Sequence, residues 1–180
     1  MPVTELKEVL THELGDLLYA ERRILAMLKT MGREVSDPAI KQRIEEHRVE
    51  TEGQIERLKE AFEAIGEPAK AEKCEAAIGL KEEHDSFKSE EKPTKPMLEA
   101  FDLGSGLRVE HYEIAAYRTA IAIATALGEI ECASILQENL LEEEEMAKFL
   151  EKNALRTLKK IAKESGQGRS GKPKENGKSS

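Results

Sequence analysis

RVEHYEIAAYRTAIAIATAL, from Arg108 to Leu127, reads as one long helix. Its apolar stripe starts upstream at Leu103 and Leu107 and resumes at Ile114, Tyr117, Ile121 and Ala124. Acid interrupts the stripe. Glu110 stands where the next leucine is due, and Glu113 lies beside it at i+3 on the same face. An ionised carboxylate facing a bundle core costs several kcal/mol unless something pairs with it. The fold therefore turns on whether other helices bring matching groups to the same level.

Three other long helices do. Helix A, from about Thr4 to Met31 with Gly32 as its stop, carries the stripe Leu6, Leu10, Leu14, Leu17, Leu18, then Glu21, then Leu25 and Leu28. Helix B opens at Ser36-Asp37-Pro38, a capping residue followed by proline in the first turn, and stops near Ile65 at Gly66-Glu67-Pro68. Its stripe runs Ile40, Ile44, His47, Thr51, Ile55, Leu58 and Phe62. His47 replaces an aliphatic residue, and Glu50 follows three positions later on the same side. Gly53 weakens this helix by about 1 kcal/mol relative to alanine, which a close packing partner would explain. Helix D, from about Glu129 to Lys163 with Asn153 as a candidate kink, has Leu136, Leu140, Glu143, Ala147 and Leu150 in line.

Between helices B and C, residues 69–88 hold a shorter helix, and Ser89–Pro96 (SEEKPTKP) reads as the main loop. A connection this long suits a four-helix bundle with parallel neighbours B and C, the ferritin-like topology. Composition agrees with an all-α fold: 36% charged, 39% hydrophobic and only 4% aromatic residues leave little to build strands.

At 180 residues and net charge −8, a single domain is expected. The last 17 residues, 164–180, are Gly, Ser and Lys rich and carry +2, leaving −10 on residues 1–163. We expect a helical domain over 1–163 and a disordered basic tail beyond it. An acidic body argues against a nucleic-acid surface, and no apolar run is long enough to span a membrane. Cys74 and Cys132, with no CxxC pair and no export signal, suggest buried thiols and a cytoplasmic setting.

If the in-stripe groups meet, five carboxylates and an imidazole share one low-dielectric volume. Like charges would then drive some acids to protonate. Two divalent cations would instead turn the repulsion into coordination, and hard oxygen donors with imidazole suit Fe or Mn, with Zn next. The candidate ligands are Glu21, His47, Glu50, Glu110, Glu113 and Glu143.

Several blocks carry a family likeness: VEHYEIAAY (Val109–Tyr117), ETEGQIERL (Glu50–Leu58), AERRI (Ala20–Ile24), KCEAAIGL (Lys73–Leu80) and LLEEE (Leu140–Glu144). Together they resemble the YciF/YciE-type family of ferritin-like proteins. The resemblance implies a rubrerythrin-like bundle with an extra helix, paired into homodimers, in bacterial stress-associated proteins. It places metal ligands on the same six residues. The chain departs from the broader ferritin pattern of Glu-x-x-His, because Gly53 follows Glu50 and Met146 follows Glu143 at that spacing. His47, three positions before Glu50, offers an imidazole from the opposite direction, and His111 offers one from the edge of helix C.

Two functions of different class follow. One is a metal-binding stress protein with redox activity toward oxygen or peroxide. The other is a non-catalytic structural dimer whose acids pair with Tyr, water or the arginines at 22, 23, 108 and 118.

Overall fold

The computed structural model describes residues 2–166. Five helices follow in order: α1 (Leu6–Glu34), α2 (Pro38–Ala64), α3 (Glu75–Glu90), α4 (Lys95–Leu127) and α5 (Ile130–Glu164). Their termini follow local chemistry. Glu8 accepts from the backbone amides of Thr4 at 2.8 Å and Glu5 at 2.9 Å, closing the start of α1. Asp37 accepts from the amides of Ala39 at 2.9 Å and Ile40 at 3.4 Å, with Pro38 in the first turn of α2. Gly128, at φ 79°, ends α4 in the left-handed conformation that glycine adopts without strain.

The structure corrects four boundaries. Helix α1 runs through Gly32 to Glu34, because Ile40 and Ile44 of α2 and neighbouring apolar groups give its last turn something to bury against. Ser89 and Glu90 close α3, while Lys95 and Pro96 open α4, so the loop shrinks to residues 91–94. Helix α5 continues through Asn153, whose side chain donates to the Phe149 carbonyl at 2.8 Å. Glu164 belongs to α5, and the tail reading from 167 to 180 lies outside the described residues.

Helix α1 packs on α2 and α4, and α5 packs on the same two, while α3 lies against α1 and α4. The backbones of the pairs α1/α5 and α2/α4 make no close approach, so these helices sit on the diagonals of a four-helix bundle and meet only through side chains at its centre. The starts of α2 and α4 share one end of the bundle with the end of α5. Hence α2 and α4 run parallel, but as diagonal partners and not as neighbours.

Two apolar clusters fill the bundle. One contains Leu10, Leu14, Leu17, Leu58, Phe62 and Leu136, and the other Ile24, Leu28, Ile44, Leu103, Met146 and Leu150. The acids lie between them.

Glycine matters at one crossing. The crossover chain lies directly on α1 at Gly15, whose carbonyl accepts from the Glu72 amide at 3.0 Å. A Cβ there would stand 3.0 Å from the Lys70 carbonyl oxygen and 2.8 Å from Cγ of Glu72. Gly15→Val should therefore push the crossover off α1 and cost about 1–3 kcal/mol. Urea unfolding is the check: the midpoint should fall while the slope stays unchanged. Gly53 has a milder explanation, since it leaves room for Arg57, whose Nη1 would lie 3.3 Å from an added Cβ.

Candidate metal centre

Five of the six residues singled out in the sequence converge between the two apolar clusters. Glu21, His47 and Glu143 are fully buried, and Glu110 and Glu113 are 2% and 1% exposed. They form two groups, His47 with Glu110 and Glu143, and Glu21 with Glu113 and Glu143. In each, one donor atom per residue lies within 4.8 Å of the others. Glu143 is common to both. Nε2 of His47 is 3.6 Å from Oε2 of Glu110 and 3.6 Å from Oε2 of Glu143. Donors bound to one cation at about 2.1 Å and spread by about 120° stand about 3.6 Å apart, so this spacing fits a shared ion.

Glu50 is the residue the structure does not bring in with the others. Its half-buried carboxylate lies to one side, where Oε2 accepts from Nη1 of Arg43 at 2.9 Å and meets Nδ1 of His47 at 3.0 Å. That contact assigns the proton to Nδ1 and turns the Nε2 lone pair toward Glu110 and Glu143. His111 is also elsewhere. It faces solvent, 3.2 Å from Glu151.

Sequence reading missed the polar frame around the acids. The Tyr117 hydroxyl donates to Oε1 of Glu21, and Gln54 Nε2 donates to Oε1 of Glu143. Asn139 Nδ2 donates to the Tyr117 hydroxyl at 2.9 Å and to the Gln54 carbonyl at 3.3 Å, and Arg57 in turn holds Oδ1 of Asn139. Each lies about two turns or fewer from an acid or His47 in the same stripe: Tyr117 four after Glu113, Asn139 four before Glu143, Gln54 seven after His47. Tyr117→Phe should keep the fold but lose about 1–3 kcal/mol, because Asn139 and Glu21 each lose a buried partner. Thermal unfolding against wild type measures it.

The frame satisfies one oxygen of Glu21 and of Glu143. Seven buried polar atoms remain without a partner: Oε2 of Glu21, Nε2 of His47, Oε1 of Gln54, Oε2 of Glu110, both oxygens of Glu113 and Oε2 of Glu143. Such atoms are rare in folded proteins and each asks for an explanation. Without a cation the electrostatics are severe. Burial, and then the charge of Glu143, raise Glu21 to about 8. Burial and the charge of Glu21 raise Glu110 to about 8. Glu113 and Glu143 are pushed well above the carboxylate range, by burial first and then by the charge of Glu143 on Glu113 and of Glu110 on Glu143. Burial opposes a charged His47, but the Glu50 hydrogen bond and the charge of Glu143 raise it overall.

Three of the four arginines proposed as partners are engaged elsewhere. Arg108 meets Glu83 at 3.0 Å, Arg118 meets Glu144 at 2.7 Å, and Arg23 lies over the Tyr19 ring. Among the described residues, no arginine or lysine pairs with Glu21, Glu110, Glu113 or Glu143. Both thiols are buried, and Cys74 accepts from the Ala77 amide at the start of α3.

A four-helix bundle with a long crossover, two diagonal parallel helices and a mid-core belt of carboxylates is a ferritin-like protein. Comparison with known proteins narrows the class. Residues 5–163 match the family described as Domain of unknown function (DUF892), and the chain belongs to that family. Protein YciF of Escherichia coli K12 is 34% identical over 145 residues, covering 79% of this chain and 86% of that protein. The crystal structure of the E. coli stress protein YciF matches with a TM-score of 0.78 at 30% identity, covering 87% of this chain and 98% of that one. YcfI from Rhodopseudomonas palustris, whose proposed role is structural, matches at 0.79 with 34% identity, covering 83% of this chain and 94% of its own. Among the described residues, no helix is long and apolar enough to cross a membrane.

Proposed function

We propose that this chain is a ferritin-like stress protein whose core holds two divalent metal ions, Fe or Mn by donor type and Zn by permissive geometry. The observation that carries this reading is the convergence of six unpartnered donor atoms from Glu21, His47, Glu110, Glu113 and Glu143. Four carboxylates and one imidazole are a hard donor set of the kind those cations take. Two ions would bring +4 against four carboxylate charges. Glu143, common to both groups, would serve both ions, and Glu50 would orient His47 without binding.

A pair of Fe or Mn ions would supply redox chemistry toward oxygen or peroxide. The protein's own part is to keep the pocket dry and the donors aimed. Leu18, Leu58 and Leu140 lie on one side, with Ile24, Val109 and Met146 on the other. An apolar cavity of about 40 Å3 reaches Glu110 from the second side and is large enough for one or two water-sized molecules. The E. coli relative's description as a stress protein supports the physiological half of the reading.

The structural alternative draws on the role proposed for the R. palustris relative. Elemental analysis of chain prepared without chelators separates the two. About two ions per chain are expected, and the Glu110→Gln/Glu113→Gln double variant should lose them. Metal-free wild type, or unchanged metal in the variant, would sink the metal reading in favour of the structural one. On the same reading the chain works in the cytoplasm as a homodimer, for which exposed Val49, Leu141 and Leu155 offer apolar surface. Light scattering of the purified chain tests the dimer.

A further inference from the structure

His84 has no motif around it in the sequence, yet the structure buries it. It is 6% exposed, on the face of α3 that meets α4, and its Nε2 lies 2.9 Å from Oδ1 of Asp102. The end of α1 brings a third group. One donor atom each from Glu34, His84 and Asp102 lies within 4.8 Å of the others.

An ordinary histidine–aspartate hydrogen bond accounts for only part of this. It uses one atom of each partner. Oδ2 of Asp102, on a side chain 3% exposed, is buried with no partner, and so is Oε2 of Glu34. The other oxygen of Glu34 is held by Lys88. Two carboxylate oxygens with nothing to accept from thus stand beside an imidazole nitrogen. A divalent cation uses all three residues at once, since the imidazole and one oxygen from each acid lie within 4.8 Å of one another. The Phe101 ring lies 6.2 Å from that of His84 and stacks on Phe87 at 3.8 Å.

We propose that Glu34, His84 and Asp102 form a second, separate binding site for a single divalent transition-metal ion of the zinc class. It is not an extension of the bundle centre. Asp102 precedes Glu110 by eight residues, about 12 Å along α4, too far to share an ion. Its position defines its work: an ion there ties the end of α1, the crossover helix α3 and the start of α4 together. Lys88 keeps its hold on the outer oxygen of Glu34 and balances part of the charge.

The test is a zinc titration of the full-length apo chain, followed by the ring-nitrogen NMR signals of its four histidines. Zinc should move the Nε2 resonance of His84 in addition to any change at His47. Asp102→Asn should weaken the His84 response at least ten-fold and leave the His47 response unchanged. Glu34→Gln, at a side chain 23% exposed, should do the same. A His84 signal unmoved by millimolar zinc overturns the proposal, as does a response in both variants as strong as that of the wild type. Because His47 and His84 are read separately, failure here is distinguishable from failure at the bundle centre.

Discussion

Glu143→Gln should empty the bundle centre of metal and, in the metal-free chain, raise the melting temperature. The two effects have one origin. Glu143 is the single carboxylate common to both donor groups, so its loss removes a ligand from each proposed ion. The effect on affinity should exceed the ~10–100-fold typical of losing an outer partner. The same substitution relieves the apo core. Glu143 is fully buried beside Glu110, Glu113 and Glu21, and burial followed by the charge of Glu110 hold its carboxyl protonated well above the ordinary range. Keeping it so at neutral pH, when the unfolded chain would release the proton, opposes folding by about 1.4 kcal/mol per pH unit. An amide avoids that term and still accepts from Gln54 through its carbonyl oxygen. A gain of about 1–4 kcal/mol is expected, or roughly 3–10 °C in a chain of this size. Glu144→Gln is the control, because Glu144 pairs with Arg118 and Lys148 at the surface. Retained metal in Glu143→Gln, or a lower melting temperature without metal, would contradict the proposed centre.

Much of the bundle was legible because the acids fall in stripes that are otherwise apolar. Glu21, Glu110, Glu113 and Glu143 all lie within arcs that two neighbouring helices cover. Glu50 shows where stripe reading loses precision. It is three residues from His47, about 60° around the helix, whereas Gln54 at seven residues is only about 20° away. Helix α2 packs on α1 and α5 alone, so its buried arc is narrow and admits His47 and Gln54 but leaves Glu50 at the edge. Helix α4 touches α1, α3 and α5, and its wider buried arc accommodates both Glu110 and Glu113. The start of α4 was hidden for another reason. Gly104, Ser105 and Gly106 lower helix propensity, but Gly106 lies against Leu150, where an added Cβ would be 3.3 Å from Cδ1. Tertiary packing overrides propensity there. His84 and Asp102 could not be paired from sequence, since only the docking of α3 on α4 joins them.

The pH dependence of the metal-free chain should run opposite to that of most proteins. Paired carboxylates usually have depressed values, and stability is lost as pH falls. Here Glu21 and Glu110 sit at about 8 in the fold against an ordinary 4.5. Between those limits the folded chain holds protons that the unfolded chain releases. Stability from these groups is therefore full below about pH 4.5 and drains away as pH rises toward 8. His47, also raised, acts in the same direction above its ordinary 6.5. Melting of chelator-treated protein should fall by on the order of 10 °C from pH 5 to pH 8, allowing about 2–4 °C per kcal/mol. Metal reverses the slope, because it holds the ligands ionised in the fold and must release their protons to bind. Manganese or ferrous ion added at pH 8 should restore more stability than at pH 5, and calorimetry in buffers of different ionisation enthalpy should show more than one proton released per chain at pH 7. A metal-free chain that grows more stable from pH 5 to 8 would mean that the acids are not held in one dry volume. Two ions in the core would then have no concentrated charge to neutralise.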